Sequence, residues 1–120
     1  MKKLLIFIPL ILLLQSCRNE DKPEDILNED QMVGMLIDIH IAEGYVSTLP
    51  INYDSSRNLY PMFEKEVFRK HQVVDSVFHR SLEYYLARPR IIDRVYARVI
   101  DSLNVIEKEG NVKESDELPN

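Results

Sequence analysis

The stretch MLIDIHIAEG, residues 35–44, contains an aspartate and a histidine two positions apart. In a β-strand, Asp38 and His40 would point to the same face, as in a pair of metal ligands or half of a catalytic dyad. In an α-helix the two side chains lie about 200° apart around the axis and cannot meet. The secondary structure of this stretch therefore decides whether the pair can do chemistry.

The residues around this stretch favour a helix. Asn28 and Gln31 fit a capping box, and the Met, Leu, Ala and Glu residues that follow have helical propensity. Apolar side chains repeat at intervals of three and four residues, at Met32, Met35, Leu36, Ile39, Ala42 and Val46. This repeat is longer than the strand-like alternation, so the sequence predicts a helix. On a helix, the contact to test is His40 with Glu43, three residues apart.

His40 and Glu43 allow more than one interpretation. Their His-x-x-Glu order reverses the Glu-x-x-His order of di-iron helical bundles, which also need carboxylates from other helices. The simplest expectation is a half-buried His40 that is hydrogen-bonded to Glu43 or to a backbone carbonyl. A ligand or partner site is the alternative. We expect Asp38 to pair with a basic side chain from a neighbouring helix.

Two other histidines invite the same question. Asp75, His79 and Glu83 follow each other at four-residue spacing, which a metal ion can use, but a charge ladder on a solvated helix face is commoner. His71, at the end of a predicted helix, is favourably placed against the helix dipole when it is protonated. We therefore predict no catalytic residues, no metal site and no cofactor.

A stripe of arginines, Arg90, Arg94 and Arg98, follows one predicted helix. It could bind phosphates or carboxylates, such as lipid headgroups or the acidic surface of a partner. The alternative is a solvated face that Asp93 and Asp101 partly neutralise. Tyr84 is expected at the margin of the core, where it could serve an interface. The candidate partner or ligand surface comprises His40, Glu43, Tyr84, Arg90, Arg94 and Arg98.

The N-terminus indicates export and lipidation. Lys2 and Lys3 precede an apolar run, Leu4–Leu14, that is too short to span a membrane and is typical of a signal peptide. The run ends in Leu-Gln-Ser-Cys, which resembles the lipobox of bacterial lipoproteins. That resemblance implies removal of residues 1–16, lipidation of Cys17 and attachment to the membrane through this lipid anchor. We expect the outer membrane, with its periplasmic and surface faces both open.

Composition restricts the possible partners. The net charge of −5 is unlike that of a general nucleic-acid binder, so we expect no nucleic-acid partner. Cys17 is the single cysteine of the chain, which excludes an internal disulfide. After the signal peptide, we expect a tether over 17–27, a helical domain over 28–109 and a disordered tail over 110–120.

Three further helices are predicted. The second runs from about 57 to 71 with Pro61 in its first turn, the third ends near 88, and the fourth spans 89–109 and stops at Gly110. Their expected core residues are Tyr60, Phe63, Val67, Phe68, Phe78, Leu82, Tyr85, Leu86, Ile92, Val95, Tyr96, Val99, Leu103 and Ile106. Together with the first helix, they predict an all-α fold, a small bundle of about four amphipathic helices.

Three segments carry a family resemblance: DIHIAEG, then FEKEVFRKHQV, then FHRSLEYYLARPRIIDRVYARVIDSL. Their order resembles the small helical lipoproteins of Bacteroidota that are grouped as domain of unknown function 4296. The resemblance implies the helical fold and the lipid anchor, but no activity. The sequence departs from the family pattern at Gln72, where a helix-ending glycine is usual, and at Val74, where a capping Thr or Ser is usual.

No enzyme signature is found: there is no P-loop, no G-x-S-x-G and no H-E-x-x-H. We therefore expect a non-enzymatic, lipid-anchored binding or scaffolding module for another component of the cell envelope, with an envelope protein as its partner. The first alternative is a carrier or sensor of a small or lipidic ligand. The second is an accessory hydrolase or metal-dependent enzyme.

Overall fold

The computed structural model describes residues 22–117, with the side chains described as far as residue 111. Cys17, the signal peptide and most of the predicted tether lie outside the described residues. The chain forms helices α1 (Glu29–Thr48), α2 (Tyr53–His71), α3 (Asp75–Leu86) and α4 (Pro89–Glu117). Residues 22–117 contain no strand, which confirms the predicted all-α fold. None of these helices is long and apolar enough to cross a membrane.

Helix α1 begins where the capping box predicts. The side chain of Asn28 accepts the backbone N–H of Gln31 at 2.9 Å, and the Gln31 side chain accepts the N–H of Asn28 at 2.9 Å. Glu29 and Asp30 follow in the first turn, where negative charge favours the helix dipole. The whole MLIDIHIAEG stretch lies inside α1, so the strand interpretation is wrong.

Helix α1 is the centre of the fold, because it packs against each of the other three helices. Its predicted apolar stripe is buried, as expected, together with Val33. The other buried apolar residues are Leu27, Val67, Phe78, Tyr85, Ile92, Val95 and Val99. Helix α3 also packs against α4. The core is therefore built around α1, and α2 covers one flank of it.

Helix α2 starts earlier than predicted. Asn52 accepts the N–H of Ser55 at 2.8 Å and so caps a helix that begins at Tyr53. Pro61 consequently lies inside the helix rather than in its first turn, and the carbonyl of Arg57 loses its usual N–H donor. Among the expected α2 core residues, Val67 is buried, whereas Tyr60, Phe63 and Phe68 are only half-buried.

Helix α2 ends without the glycine that usually serves this purpose. Gln72 adopts a left-handed conformation with φ of 54°. The N–H of Val73 donates to the carbonyl of Phe68 at 3.0 Å, and that of Gln72 donates to Arg69 at 3.2 Å. Val74 then precedes α3 without a side-chain capping bond. The chain therefore makes this turn despite both departures from the family pattern.

Helices α3 and α4 follow the prediction with three corrections. Leu86 is 56% exposed rather than buried, and Ser81 is buried on the inner face of α3. Helix α4 starts at Pro89 as expected but continues through Gly110 to Glu117, so the predicted stop at Gly110 is wrong. Ile106 is 45% exposed because α4 has left the core there, and every residue from 104 to 111 is exposed.

Candidate functional site

Asp38 joins α1 to the end of α2. Its Oδ2 accepts a hydrogen bond from Lys70 Nζ at 2.7 Å and lies 2.6 Å from His71 Nε2. The expected pairing of Asp38 with a basic side chain from a neighbouring helix is confirmed. Burial alone would raise the pKa of Asp38, but the hydrogen bonds and positive charges of Lys70 and His71 outweigh it and lower this pKa below its usual range.

Gly34 makes room for this junction. It lies one turn before Asp38 on the same helix, and a Cβ at Gly34 would lie 3.3 Å from Cε1 of His71. The imidazole ring therefore rests close to the α1 backbone, where a larger residue would crowd it. The position of His71 in the sequence predicts only an interaction with the helix dipole, and no local pattern indicates this contact with α1.

His40 and Glu43 form the predicted contact on α1. Nδ1 of His40 lies 3.0 Å from Oε2 of Glu43, and the two side chains are 35% and 50% exposed. The His40 ring also lies 6.1 Å from the ring of Tyr96 on α4, measured between centroids. Residues 22–117 contain no cluster of three or more potential metal ligands. This pair is therefore a surface hydrogen bond at the α1–α4 contact.

Tyr60 on α2 faces the same carboxylate. Burial raises the pKa of its phenol to about 12, and the negative charges of Glu64 and Glu43 add to the effect. The phenol oxygen lies 3.5 Å from Oε1 of Glu64. The phenol therefore keeps its proton near neutral pH and donates a hydrogen bond to Glu64 within α2.

Two grooves flank the contact between α1 and α2. The first, here called the apolar groove, has a volume of about 350 Å³ and is lined by Asp38, Ile41, Ala42, Tyr45, Phe63, Glu66, Val67 and Lys70. The second, here called the polar cleft, has a volume of about 490 Å³ and is lined by Glu43, Val46, Ser47, Tyr53, Ser56, Arg57 and Tyr60. In the apolar groove, the Tyr45 and Phe63 rings lie 5.4 Å apart between centroids.

The arginine stripe is largely occupied by partners within the chain. Arg94 forms a two-pronged ion pair with Glu29, in which its Nε donates to Oε2 at 2.9 Å. Arg98 donates to Oδ1 of Asp30 at 2.6 Å. Arg90 is exposed. Arg94 and Arg98 therefore join α4 to the first turn of α1. The solvated-face alternative had named Asp93 and Asp101 as their partners.

Tyr84 lies away from the other candidate residues. Its half-buried ring contacts Tyr85 at 5.4 Å between centroids, and the guanidinium of Arg88 stacks 3.7 Å from its centroid. These contacts place Tyr84 at the α3–α4 connection, whereas His40 and Glu43 face α4 and α2. The predicted set of six residues thus does not form one continuous site.

The exposed charge ladder on α3 is local. Nε2 of His79 lies 2.7 Å from Oδ1 of Asp75, and both side chains are more than half exposed. This is an i,i+4 pair on a solvated face, where such pairs contribute little to stability. It matches the commoner of the two interpretations considered for these residues.

A buried clamp holds the segment that precedes α1. The hydroxyl of Ser81 accepts the backbone N–H of Leu27 at 3.0 Å, and the phenol of Tyr85 donates to the carbonyl of Leu27 at 2.9 Å. Ser81 and Tyr85 are one turn apart on α3, so together they satisfy both backbone groups of one residue. A serine within an apolar stripe was the available signal, and the sequence analysis did not use it.

The comparison with family models gives one match, described as "Domain of unknown function (DUF4296)", over residues 23–109. The chain belongs to this family. The matched region contains the Leu27 clamp, the Asp38–His71 junction and both grooves. No curated protein and no solved structure matches the chain.

Proposed function

We propose that this protein is a lipid-anchored, non-enzymatic binding module of the cell envelope that recognises a partner protein through the apolar groove. The observation that carries the proposal is the exposure of the groove's apolar side chains. Ile41 is 41% and Tyr45 54% exposed, beside Phe63 on the facing helix. Exposed apolar surface that is rimmed by charged residues is typical of protein interaction sites.

The groove suits an amphipathic helix of the partner. It runs between two helices, and its floor is formed by Ala42 and Val67, both buried. Asp38, Glu66 and Lys70 provide charges of both signs at its edge. A helix that lays its apolar face into such a groove would be anchored by side chains at i, i+3 or i+4, and i+7.

The position of the groove fits a tether at the N-terminus. In this proposal Cys17 carries the lipid, and the segment up to Glu29 spans at most about 40 Å when fully extended. The apolar groove is lined by the second half of α1, a helix about 30 Å long. A partner could therefore reach the groove at the end of α1 opposite the anchor. We assign the anchor to the outer membrane.

No catalytic role is proposed for the titratable side chains. Asp38, Glu29 and Asp30 each pair with a basic residue of another helix. His40 and Glu43 form an i,i+3 pair that is partly exposed to solvent. The first three residues therefore join helices to one another, which a scaffold for partner binding requires, and the His40–Glu43 pair is local to α1.

Site-specific crosslinking tests the groove. A photoreactive residue in place of Tyr45 should form an adduct with one envelope protein, and the added change Ile41→Glu should abolish that adduct. The same photoreactive residue at Val105, an exposed position on α4, is the matched control and should give none. An adduct at Tyr45 that survives Ile41→Glu, or no adduct at all, would contradict recognition through the groove.

The anchor has its own test. Mass spectrometry of the protein from membranes should find acyl groups on Cys17, and Cys17→Ala should release the protein from the membrane fraction. Two or more acyl chains are needed for stable attachment, since one chain binds reversibly. Protease treatment of intact cells would then distinguish the surface face from the periplasmic face. An unmodified Cys17 in membrane-bound protein would refute the anchor but not the groove.

A second candidate function is a carrier or sensor of a lipidic ligand. The volume of the apolar groove lies within the usual range of small-molecule sites, and Lys70 at its edge could pair with an anionic headgroup. Native mass spectrometry of protein purified from its own membranes distinguishes the two functions. A bound lipid that disappears with Phe63→Ser would favour the carrier, whereas an empty protein would exclude it.

A further inference from the structure

The polar cleft differs from the apolar groove in its chemistry. Its lining combines one carboxylate (Glu43), one guanidinium (Arg57), the hydroxyls of Ser47 and Ser56, and two tyrosines. Ser47 and Tyr45 lie about 200° apart around α1, so the cleft faces the other side of the α1–α2 contact. The two grooves share no lining residue. The cleft is therefore a second surface with its own properties.

Several polar groups in the cleft are available to a ligand. Arg57 has neither an ion pair nor a side-chain hydrogen bond within the part of the chain that the structure describes. The Ser47 and Ser56 hydroxyls donate to backbone carbonyls at 2.7 and 2.8 Å, which leaves their oxygens free to accept. The Tyr60 phenol donates a hydrogen bond to Glu64, so its oxygen can accept a hydrogen bond from a ligand.

The cleft also has an aromatic surface at its edge. Tyr53 is 78% exposed, more than any other large apolar or aromatic side chain among the residues that the structure describes. It is the first residue of α2, directly after the capping Asn52, so its backbone is held in place by the start of the helix. A tyrosine ring there offers a flat, amphipathic contact at little cost in side-chain entropy.

We propose that the polar cleft binds a sugar ring of an envelope glycan. A pyranose displays hydroxyls that both donate and accept around its edge and C–H groups on its faces. The edge matches Glu43, Arg57 and the serine oxygens, and a face can stack on Tyr53. The charges of Glu43 and Arg57 cancel, so the cleft favours a neutral ligand.

A peptide terminus fits less well. Its ammonium group would compete with His40, which already bonds Oε2 of Glu43, whereas one sugar hydroxyl can donate to Oε1 alone. Its carboxylate could still reach Arg57, so short peptides are the comparison ligands for the test. The proposal rests on the proposed function only for the envelope location of the glycan. The cleft shares no lining residue with the apolar groove, so the two binding tests can fail separately.

The test uses the membrane-purified full-length chain, labelled with ¹⁵N, in detergent micelles. Methyl glycosides of glucose, galactose, mannose and N-acetylglucosamine, and an uncharged dipeptide and a zwitterionic dipeptide, are titrated to high millimolar concentration. At least one glycoside should shift the backbone signals of Ser47, Tyr53 and Arg57. Tyr53→Ala and Arg57→Ala should each weaken its binding about tenfold, as loss of a main contact does.

The matched control is Tyr45→Ala, which removes an exposed tyrosine from the apolar groove and should leave glycoside binding unchanged. Tyr53 and Arg57 are exposed, so their variants should keep the wild-type thermal unfolding temperature. No shift with any glycoside would overturn the proposal. So would binding that is insensitive to Tyr53→Ala, or localised shifts with the dipeptides alone.

Discussion

Asp38 and His71 meet across the α1–α2 interface, with Oδ2 and Nε2 2.6 Å apart. They are 33 residues apart in the sequence and belong to two different helices. Lys70 shares the same carboxylate oxygen. The junction thus holds the end of α2 on α1, beside the apolar groove.

The junction predicts a loss of stability in acid. The pKa of Asp38 is lower in the folded chain than in the unfolded chain, so its contribution is present above the ordinary aspartate pKa, near 4. This contribution to stability is lost as the pH falls through the lowered pKa of the folded chain, because Asp38 is then protonated in both states. Urea unfolding at a series of pH values should show this decline, and Asp38→Asn should flatten it.

Glu66→Gln is the control for this titration. The Glu66 carboxylate also has a lowered pKa, mainly through its hydrogen bond with Arg69, but both side chains are largely exposed and belong to α2 alone. Exposed i,i+3 pairs contribute little to the free energy of unfolding. A Glu66→Gln variant that flattens the acid decline as strongly as Asp38→Asn would show that the junction is not its source.

Two glycines of α1 should respond differently to alanine. Gly44→Ala should stabilise the protein by about 1 kcal/mol, since alanine favours helix and nothing lies within 4 Å of the new Cβ. Gly34→Ala should lose that gain, because its Cβ would crowd His71 at 3.3 Å. Thermal and urea unfolding measure both changes. Equal stabilisation by the two variants would mean that the His71 ring moves aside without cost.

The Leu27 clamp should be costly to remove. Ser81→Ala leaves the buried N–H of Leu27 without an acceptor, and we expect a loss of about 1–3 kcal/mol in the free energy of unfolding. Ser102→Ala is the matched control. Both serines donate to the carbonyl four residues earlier, but Ser102 is on α4 and has no second partner in the described chain. A similar loss for both variants would refute the role assigned to the clamp.

Features that depend on neighbouring residues were predictable from the sequence. The capping box at Asn28 and the apolar stripe of α1 lie within a few turns of each other, and both are confirmed. The predicted start of α2 near 57 is wrong, because Asn52 caps Ser55 as Asn28 caps Gln31 and the helix begins at Tyr53. That error moved Pro61 into the first turn.

For features that depend on tertiary packing, the sequence predicted the type of contact but not the residues that make it. A basic partner for Asp38 was expected, but periodicity does not tell which helix end comes within reach. The Arg94–Glu29 and Arg98–Asp30 pairs join residues 65 and 68 positions apart, beyond any local rule. Both grooves are likewise products of how α2 lies on α1. Ile106 continues the stripe of α4 in sequence, yet no helix remains beside it to bury it.

The end of α2 gives a last prediction. Gln72 holds a left-handed backbone with φ of 54°, which costs a residue with a Cβ about 1 kcal/mol relative to glycine. Gln72→Gly should therefore stabilise the protein by up to about 1 kcal/mol. Part of this gain is offset because glycine gives the unfolded chain more conformational entropy. Gln72→Ala keeps the Cβ and should bring no gain. If urea unfolding shows alanine and glycine to be equally stabilising, the gain comes from losing the glutamine side chain, and backbone strain at Gln72 is not its cause.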